Sequence, residues 1–168
     1  TQFMVYDFDS DGKAEIAMKT ADGTIDGKGN VIGDSTKDFR NQRGHILSGT
    51  EYLTMFDGLT GEAVSTVNYI PARHPSSLTP ADYELKSIWG DGNGNRSDRY
   101  LACVAYLDGV HPSLVMCRGY YTRSVLASFD YKNKKLVSRW VFDSYDEGNK
   151  AYAGQGNHNL TVTDVDGD

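Results

Sequence analysis

Residues 3–20 read FMVYDFDSDGKAEIAMKT. Two short apolar runs flank DFDSDGKAE (7–15), in which Asp7, Asp9 and Asp11 alternate with other residues, Gly12 turns the chain and Glu15 closes the run. Carboxylates this close repel one another unless a hard cation sits among them. Asp7, Asp9 and Asp11 occupy positions 1, 3 and 5 of a calcium loop, Lys13 offers a backbone carbonyl, and Glu15 completes an all-oxygen shell. Zinc would call for His or Cys, which are missing here. An EF-hand would need a glutamate at position 12, where Met18 stands, and helical flanks, where these flanks alternate like strands. The stretch therefore predicts strand, calcium loop, strand.

The same β signal recurs along the chain. Runs rich in β-branched and aromatic residues lie at 3–6, 15–20, 51–56, 63–70, 99–107, 113–121, 124–131, 135–142 and 159–165. Turn chemistry separates them: DGLTG (57–61), DGVHP (108–112) and KNK (132–134). One helix is predicted, over TPADYELKSI (79–88), with Thr79 as N-cap, Pro80 in the first turn and Asp82 as capping-box partner. The fold class is all-β.

The acidic loop returns twice, which favours repeated β units. DGNGNRSDR begins at Asp91 and keeps the alternation through Asn93 and Asn95, with Asp98 one residue early for a closing ligand. DVDGD places Asp164, Asp166 and Asp168 in the same spacing. A metal-free, Asn-rich turn is the rival reading of the second loop. Hairpins fill the intervals, and polar insertions at 21–45 and 72–87 lengthen them. This predicts about two complete propeller blades plus the start of a third, in one partial propeller (1–168) without an internal boundary. The chain starts at Thr1 and ends inside an acidic motif, and we read it as a segment of a longer protein.

Bulk properties narrow the partners. The net charge is −6, from 17 basic and 23 acidic residues in 168, and no basic cluster stands out. Nucleic acid is not an expected partner. The longest apolar run, YLACVAYL (100–107), falls far short of the ~20 residues of a spanning helix, so no membrane partner is expected. Two cysteines flank the DGVHP turn. Pairing Leu107 with Ser113 would set Cys103 opposite Cys117, as a cross-strand disulfide or as two small buried apolar residues.

Several strings, in order along the chain, resemble the rhamnogalacturonan lyases of polysaccharide lyase family 11: DFDSDGKAEIAMKTADGTIDGKG, SGTEYLTMFDGLTGEA, NRSDRYLACVAYLDGVHPSLVMCRGYYTR, RWVFDS and GQGNHNLTVTDVDGD. The resemblance implies an eight-bladed β-propeller with several calcium ions. It implies a secreted, extracellular enzyme, monomeric as a full-length protein, that cleaves the rhamnose–galacturonate backbone of pectin, rhamnogalacturonan I, by β-elimination. It also implies that His158, in GNHN, is a calcium ligand near the central cleft, and that the catalytic base lies outside this segment. Arg118, Tyr120 and Tyr121 in CRGYYTR are candidate polymer contacts, because aromatic faces suit sugar rings and Arg suits a carboxylate. Thr20, Asp22 and Thr24 in KTADGT are candidates for facing the cleft. The alternative is a non-catalytic, integrin-like calcium propeller that binds protein or polysaccharide. The acidic loops fit both, whereas the GQGNHN and cysteine-containing strings favour the lyase, because integrin-type repeats give no reason for them.

Overall fold

The structure is a computed structural model and describes residues 2–167. Alternating side chains sort the chain into strands that bury one face. β1 (Phe3–Tyr6) pairs with β2 (Glu15–Ala21), a two-residue hairpin β3 (Thr24–Ile25) and β4 (Val31–Ile32) follows, and β5 (Glu51–Asp57) and β6 (Ala63–Asn68) complete the sheet. Its order is β1-β2-β5-β6, antiparallel throughout, with Ile16 opposite Val5 on one side and Phe56 on the other. After α1 (Asp82–Trp89), strands β7 (Tyr100–Ala105), β8 (Ser113–Arg118), β9 (Val125–Lys132) and β10 (Lys135–Asp143) form a second antiparallel meander. A single 3-10 turn follows at Lys150–Tyr152.

The two sheets share one core. Ala17, Leu53 and Met55 of the first meet Leu114, Met116, Ala127 and Phe129 of the second, with Phe8 and Tyr69 from the connections. β1 lies beside β7, and β6 beside β10. The Tyr6 and Tyr106 hydroxyls bond across at 2.9 Å, and Leu136 N–H donates to Ser65 Oγ at 3.0 Å. Burying apolar area from two sheets in one layer is the main gain from this packing.

Eight of the nine expected strands form. The ninth, 159–165, is extended chain without a ladder, because among the described residues no strand is placed beside it. The helix begins later than its sequence suggests: Ala81 is the N-cap, and its N–H donates to the Glu84 carboxylate at 2.8 Å. Glu84, rather than Asp82, provides that half of a capping box. The β7–β8 hairpin is shifted by two residues from the expected register. Ala105 faces Ser113, which sets Cys103 opposite Val115 and Cys117 opposite Leu101. The reason is Asp108, whose carboxylate accepts the Val110 and His111 N–H groups and winds a longer turn. Both cysteines are buried free thiols.

A buried ionic cluster lies where the sheets meet the 69–99 connection. Arg118 has no exposed surface. It donates to Glu51 Oε2 at 2.8 Å and Oε1 at 3.1 Å, to Ser97 O at 2.6 Å and to Pro71 O at 2.9 Å. Its guanidinium lies 4.9 Å from the Trp89 ring and 5.4 Å from that of Tyr100. This corrects the sequence expectation: Arg118 is an interior ion-pair residue and does not reach a polymer. Lys19 (3.3 Å) and the Arg73 guanidinium (2.9 Å) also face Glu51. Burial pushes the Glu51 carboxyl up, but Arg118, Arg73 and Lys19 outweigh it and hold it at about 2.

Because this value lies below the unfolded one of 4.5, the pair stabilises the fold fully above the unfolded value. That contribution is lost as pH falls from there toward about 2. Glu51→Gln should cost about 3–5 kcal/mol, since it leaves buried guanidinium charge without its partner. It should also flatten the acid limb of stability. Thermal melts of the full-length parent from pH 7 to pH 3, wild type against E51Q, check both.

Candidate functional site

The β1–β2 connection folds its carboxylates inward. Asp7 caps the turn, accepting Asp11 N–H on Oδ1 at 3.0 Å and Gly12 N–H on Oδ2 at 2.9 Å. Glu15, at the start of β2, accepts Phe8 N–H at 2.8 Å and is buried. One oxygen each from Asp7, Asp9 and Glu15 lies within 4.8 Å of the others. Oxygens bound ~2.3–2.6 Å from one ion stand at most about 5 Å apart, so this donor set fits a hard divalent cation. Asp11 stands apart from the trio and accepts Lys13 N–H at 2.8 Å. Burial raises the Glu15 carboxyl above its usual range. The Phe8 N–H pulls it down, and the charges of Asp9, Asp11 and Asp7 add to the rise. A cation among these groups would relieve that repulsion.

The second acidic loop is occupied by protein groups. Asp91 accepts Arg96 N–H at 2.8 Å, and Asn93 accepts Asn95 N–H at 3.1 Å. Asp98 points away, to Arg73 at 3.0 Å and to the Tyr100 hydroxyl at 3.2 Å. Its early position in the spacing serves the ionic cluster. Asp98 is thus committed to the ionic cluster, while Asn93, Asn95 and Asp98 line one open cleft. In the third loop Asp164 accepts the Asp166 and Gly167 N–H groups at 3.2 and 2.7 Å, and these hold its carboxyl below the usual range. Asp168 lies outside the described residues.

The KTADGT residues separate. Thr20 is buried in a hydroxyl ladder with Thr54 (2.7 Å) and Thr66 (3.1 Å), so it faces the interior and no cleft. Asp22 and Thr24 line an open cleft of about 440 Å³ with Lys37, Asp38 and Arg40. Asp22 accepts the Tyr52 hydroxyl at 3.0 Å and Asp34 N–H at 2.9 Å.

A different cluster forms beyond the end of β8. Gly119 has φ 89°, and a Cβ there would stand 2.2 Å from the Arg123 carbonyl oxygen, so only glycine fits this bend. The bend delivers Tyr120, which is buried, and Tyr121, which is 49% exposed. Tyr121 has φ 59°, an uncommon conformation for a bulky residue. Segment 154–158 holds it there: Tyr121 N–H donates to Gln155 O at 2.7 Å, and Asn157 Nδ2 donates to Ser124 Oγ and Gly119 O. The Tyr121 hydroxyl meets His158 Nε2 at 2.8 Å, and Arg99 Nη2 meets His158 Nδ1 at 3.1 Å. The Arg99 guanidinium stacks 5.1 Å over the Tyr120 ring.

Both nitrogens of His158 are thus engaged by protein groups, and its described neighbours supply no carboxylate. The structure brings Tyr120, Tyr121 and His158, three residues that the sequence reading singled out, into one cluster. Arg99, which the sequence reading did not single out, joins this cluster. The only signal for it lay in NRSDR, where Arg99 follows an acid committed elsewhere.

Residues 1–168 match the family described as rhamnogalacturonan lyase family 11, C-terminal domain. The chain is 64% identical over its whole length to the Bacillus subtilis rhamnogalacturonan exolyase YesX, and 55% identical to the endolyase YesW of the same organism. It covers 26% of each, so it spans about a quarter of the curated relatives it matches. The crystal structure of YesX superposes with a TM-score of 0.89 over 99% of this chain and 26% of that one. A Bacillus licheniformis family 11 lyase superposes equally well, at 61% identity over 99% of this chain and 27% of that one. The chain belongs to rhamnogalacturonan lyase family 11, within its C-terminal domain.

Proposed function

We propose that this chain is part of a secreted, calcium-dependent lyase that cleaves the rhamnose–galacturonate backbone of pectin by β-elimination. The observation that carries this is identity of 64% and 55% over the full chain to two rhamnogalacturonan lyases. Two adjacent four-stranded meanders support reading it as consecutive blades of a propeller that the rest of the parent, a monomer, completes. β-Elimination removes the C5 proton of galacturonate, which is barely acidic while the neighbouring carboxylate is fully charged. A protein of net charge −6 must offset that charge locally. The base itself belongs to residues outside this chain.

Asp7, Asp9 and Glu15 would hold calcium, with Asp11 and the Lys13 carbonyl available to complete the shell. Bound there, the ion supplies positive charge that ties the β1–β2 connection to the sheet. Asp91, Asn93 and Asn95, and likewise Asp164 and Asp166, are loops of the same spacing whose ligands would have to turn from their present backbone partners. His158 would have to release Arg99 or Tyr121 to bind metal. Tyr121 and His158 serve better as polymer contacts. Asp22 and Thr24 offer hydrogen bonds at the open cleft.

The full-length parent, incubated with rhamnogalacturonan I, should generate the absorbance of an unsaturated uronide and lose it on chelation. A folded parent in calcium that releases no unsaturated product would return the chain to the class of non-catalytic binding modules. Glu15→Gln keeps an acceptor for Phe8 N–H and removes one like charge. Without calcium, E15Q should melt at or slightly above the wild-type temperature. With millimolar calcium, its rise in Tm should be smaller than the wild-type rise. Paired melts in EGTA and in calcium check this.

A further inference from the structure

The open cleft of about 440 Å³ at the end of β2 is lined by two unlike kinds of surface. The polar part centres on Asp22. Its Oδ1 accepts the Tyr52 hydroxyl at 3.0 Å and Asp34 N–H at 2.9 Å, which leaves Oδ2 without a protein partner among the described residues. Ser35 and Ser48 add hydroxyls along the same cleft. The apolar part comes from Phe39 and Ile46, both half-buried, and a bridge between Arg40 and Ile46 ties their segments together. Each part is seated on a glycine. A Cβ on Gly33 would stand 2.2 Å from Asp22 Oδ1, and one on Gly49 would stand 2.3 Å from the Phe39 ring. Asp22 and Phe39 are therefore packed in place before a ligand arrives, and preorganised groups lose little entropy on binding.

The ionic groups decide what kind of ligand fits. Arg40 is committed: its Nε donates to Asp38 Oδ1 at 2.9 Å and to Oδ2 at 3.1 Å. Lys37 stands near Asp34, whose carboxyl the Thr36 hydroxyl and N–H, with the Lys37 charge behind them, hold below the usual range. Three acids, Asp22, Asp34 and Asp38, thus stand among two bases, Lys37 and Arg40, with no net positive charge to draw a carboxylate. A galacturonate entering here would meet the open oxygen of Asp22. In an alternating rhamnose–galacturonate polymer the other unit is neutral. Rhamnose carries vicinal hydroxyls that can donate to Asp22 Oδ2, and at C5 it carries a methyl group, where a hexose has a hydroxymethyl. That methyl suits Phe39 and Ile46.

We propose that this cleft is a rhamnose subsite, with Asp22 as the acceptor for the sugar hydroxyls and Phe39 as the contact for its methyl group. The choice of rhamnose rests on the substrate reading above. The test titrates the full-length parent with L-rhamnose, with L-mannose, which restores the hydroxyl at C6, and with D-galacturonate, read by saturation-transfer NMR. Wild type should bind L-rhamnose about fourfold more tightly than L-mannose, the effect of one buried methyl group, and the rhamnose methyl should carry the strongest transfer. Phe39→Ala should erase that preference. Asp22→Asn, whose Oδ1 still serves the Tyr52 hydroxyl and Asp34 N–H, should weaken L-rhamnose about tenfold and bind D-galacturonate no more weakly than wild type. Variants that bind L-rhamnose as wild type does, or that lose L-rhamnose and D-galacturonate equally, would overturn the subsite. Should Asp22→Asn fail to melt cooperatively, Phe39→Ala decides: an unchanged rhamnose-to-mannose ratio overturns it. A parent that cleaves the polymer while its variants keep wild-type rhamnose binding removes the subsite alone. A parent that shows these binding differences without cleaving the polymer removes the lyase reading alone.

Discussion

The Glu51 carboxylate is the constraint around which the rest is arranged. It sits at the start of β5 and receives Arg118 from β8, Lys19 from β2 and both backbone and side chain of Arg73 from the connection between the sheets. Water cannot solvate a charge there, so each of these groups must be held in place by packing. Trp89, the last residue of α1, is part of that packing: its indole donates to the Arg73 carbonyl at 2.7 Å, and its ring covers Arg118. The polar insertion at 72–87 thus has a structural job. It carries the helix that roofs the ion cluster.

The surface cluster depends on the same anchor. Arg118 ends β8 with its side chain locked inward, so the next three residues must bend immediately. Gly119 makes the bend, its N–H donates to the Arg99 carbonyl at 2.9 Å, and Tyr120 and Tyr121 follow. Two adjacent arginine sites therefore divide their labour through charge balance. Glu51 and Asp98 are consumed by Arg118, Arg73 and Lys19, which leaves no acid for Arg99.

Much of the fold was legible because strands and turns are local. Period-2 alternation and Gly/Asp turns placed eight strands within two or three residues at their ends. The hairpin register was not legible, since it turned on whether Asp108 would capture two backbone N–H groups and lengthen the turn. The strand expected at 159–165 failed for a related reason: β propensity is expressed only beside a partner ladder. Of the three residues singled out in CRGYYTR, Arg118 is interior, whereas Tyr120 stacks with Arg99 and Tyr121 bonds His158. Burial decides between Arg99 and Arg118, and neither composition nor spacing encodes which of two arginines meets a distant glutamate. Asp98 held the hint. Its misfit to the calcium spacing is explained by its commitment to Arg73.

The loop at 7–15 and the cluster at His158 show two opposite arrangements of charge. The first concentrates carboxylates that repel one another, and the burial of Glu15 makes that repulsion felt. It suits a cation that stays. The second gathers donors around a neutral imidazole and leaves its charge unspent. A calcium ion on His158 would have to take a nitrogen from Arg99 or from Tyr121, placing a dication within a few ångströms of a guanidinium that no described acid neutralises.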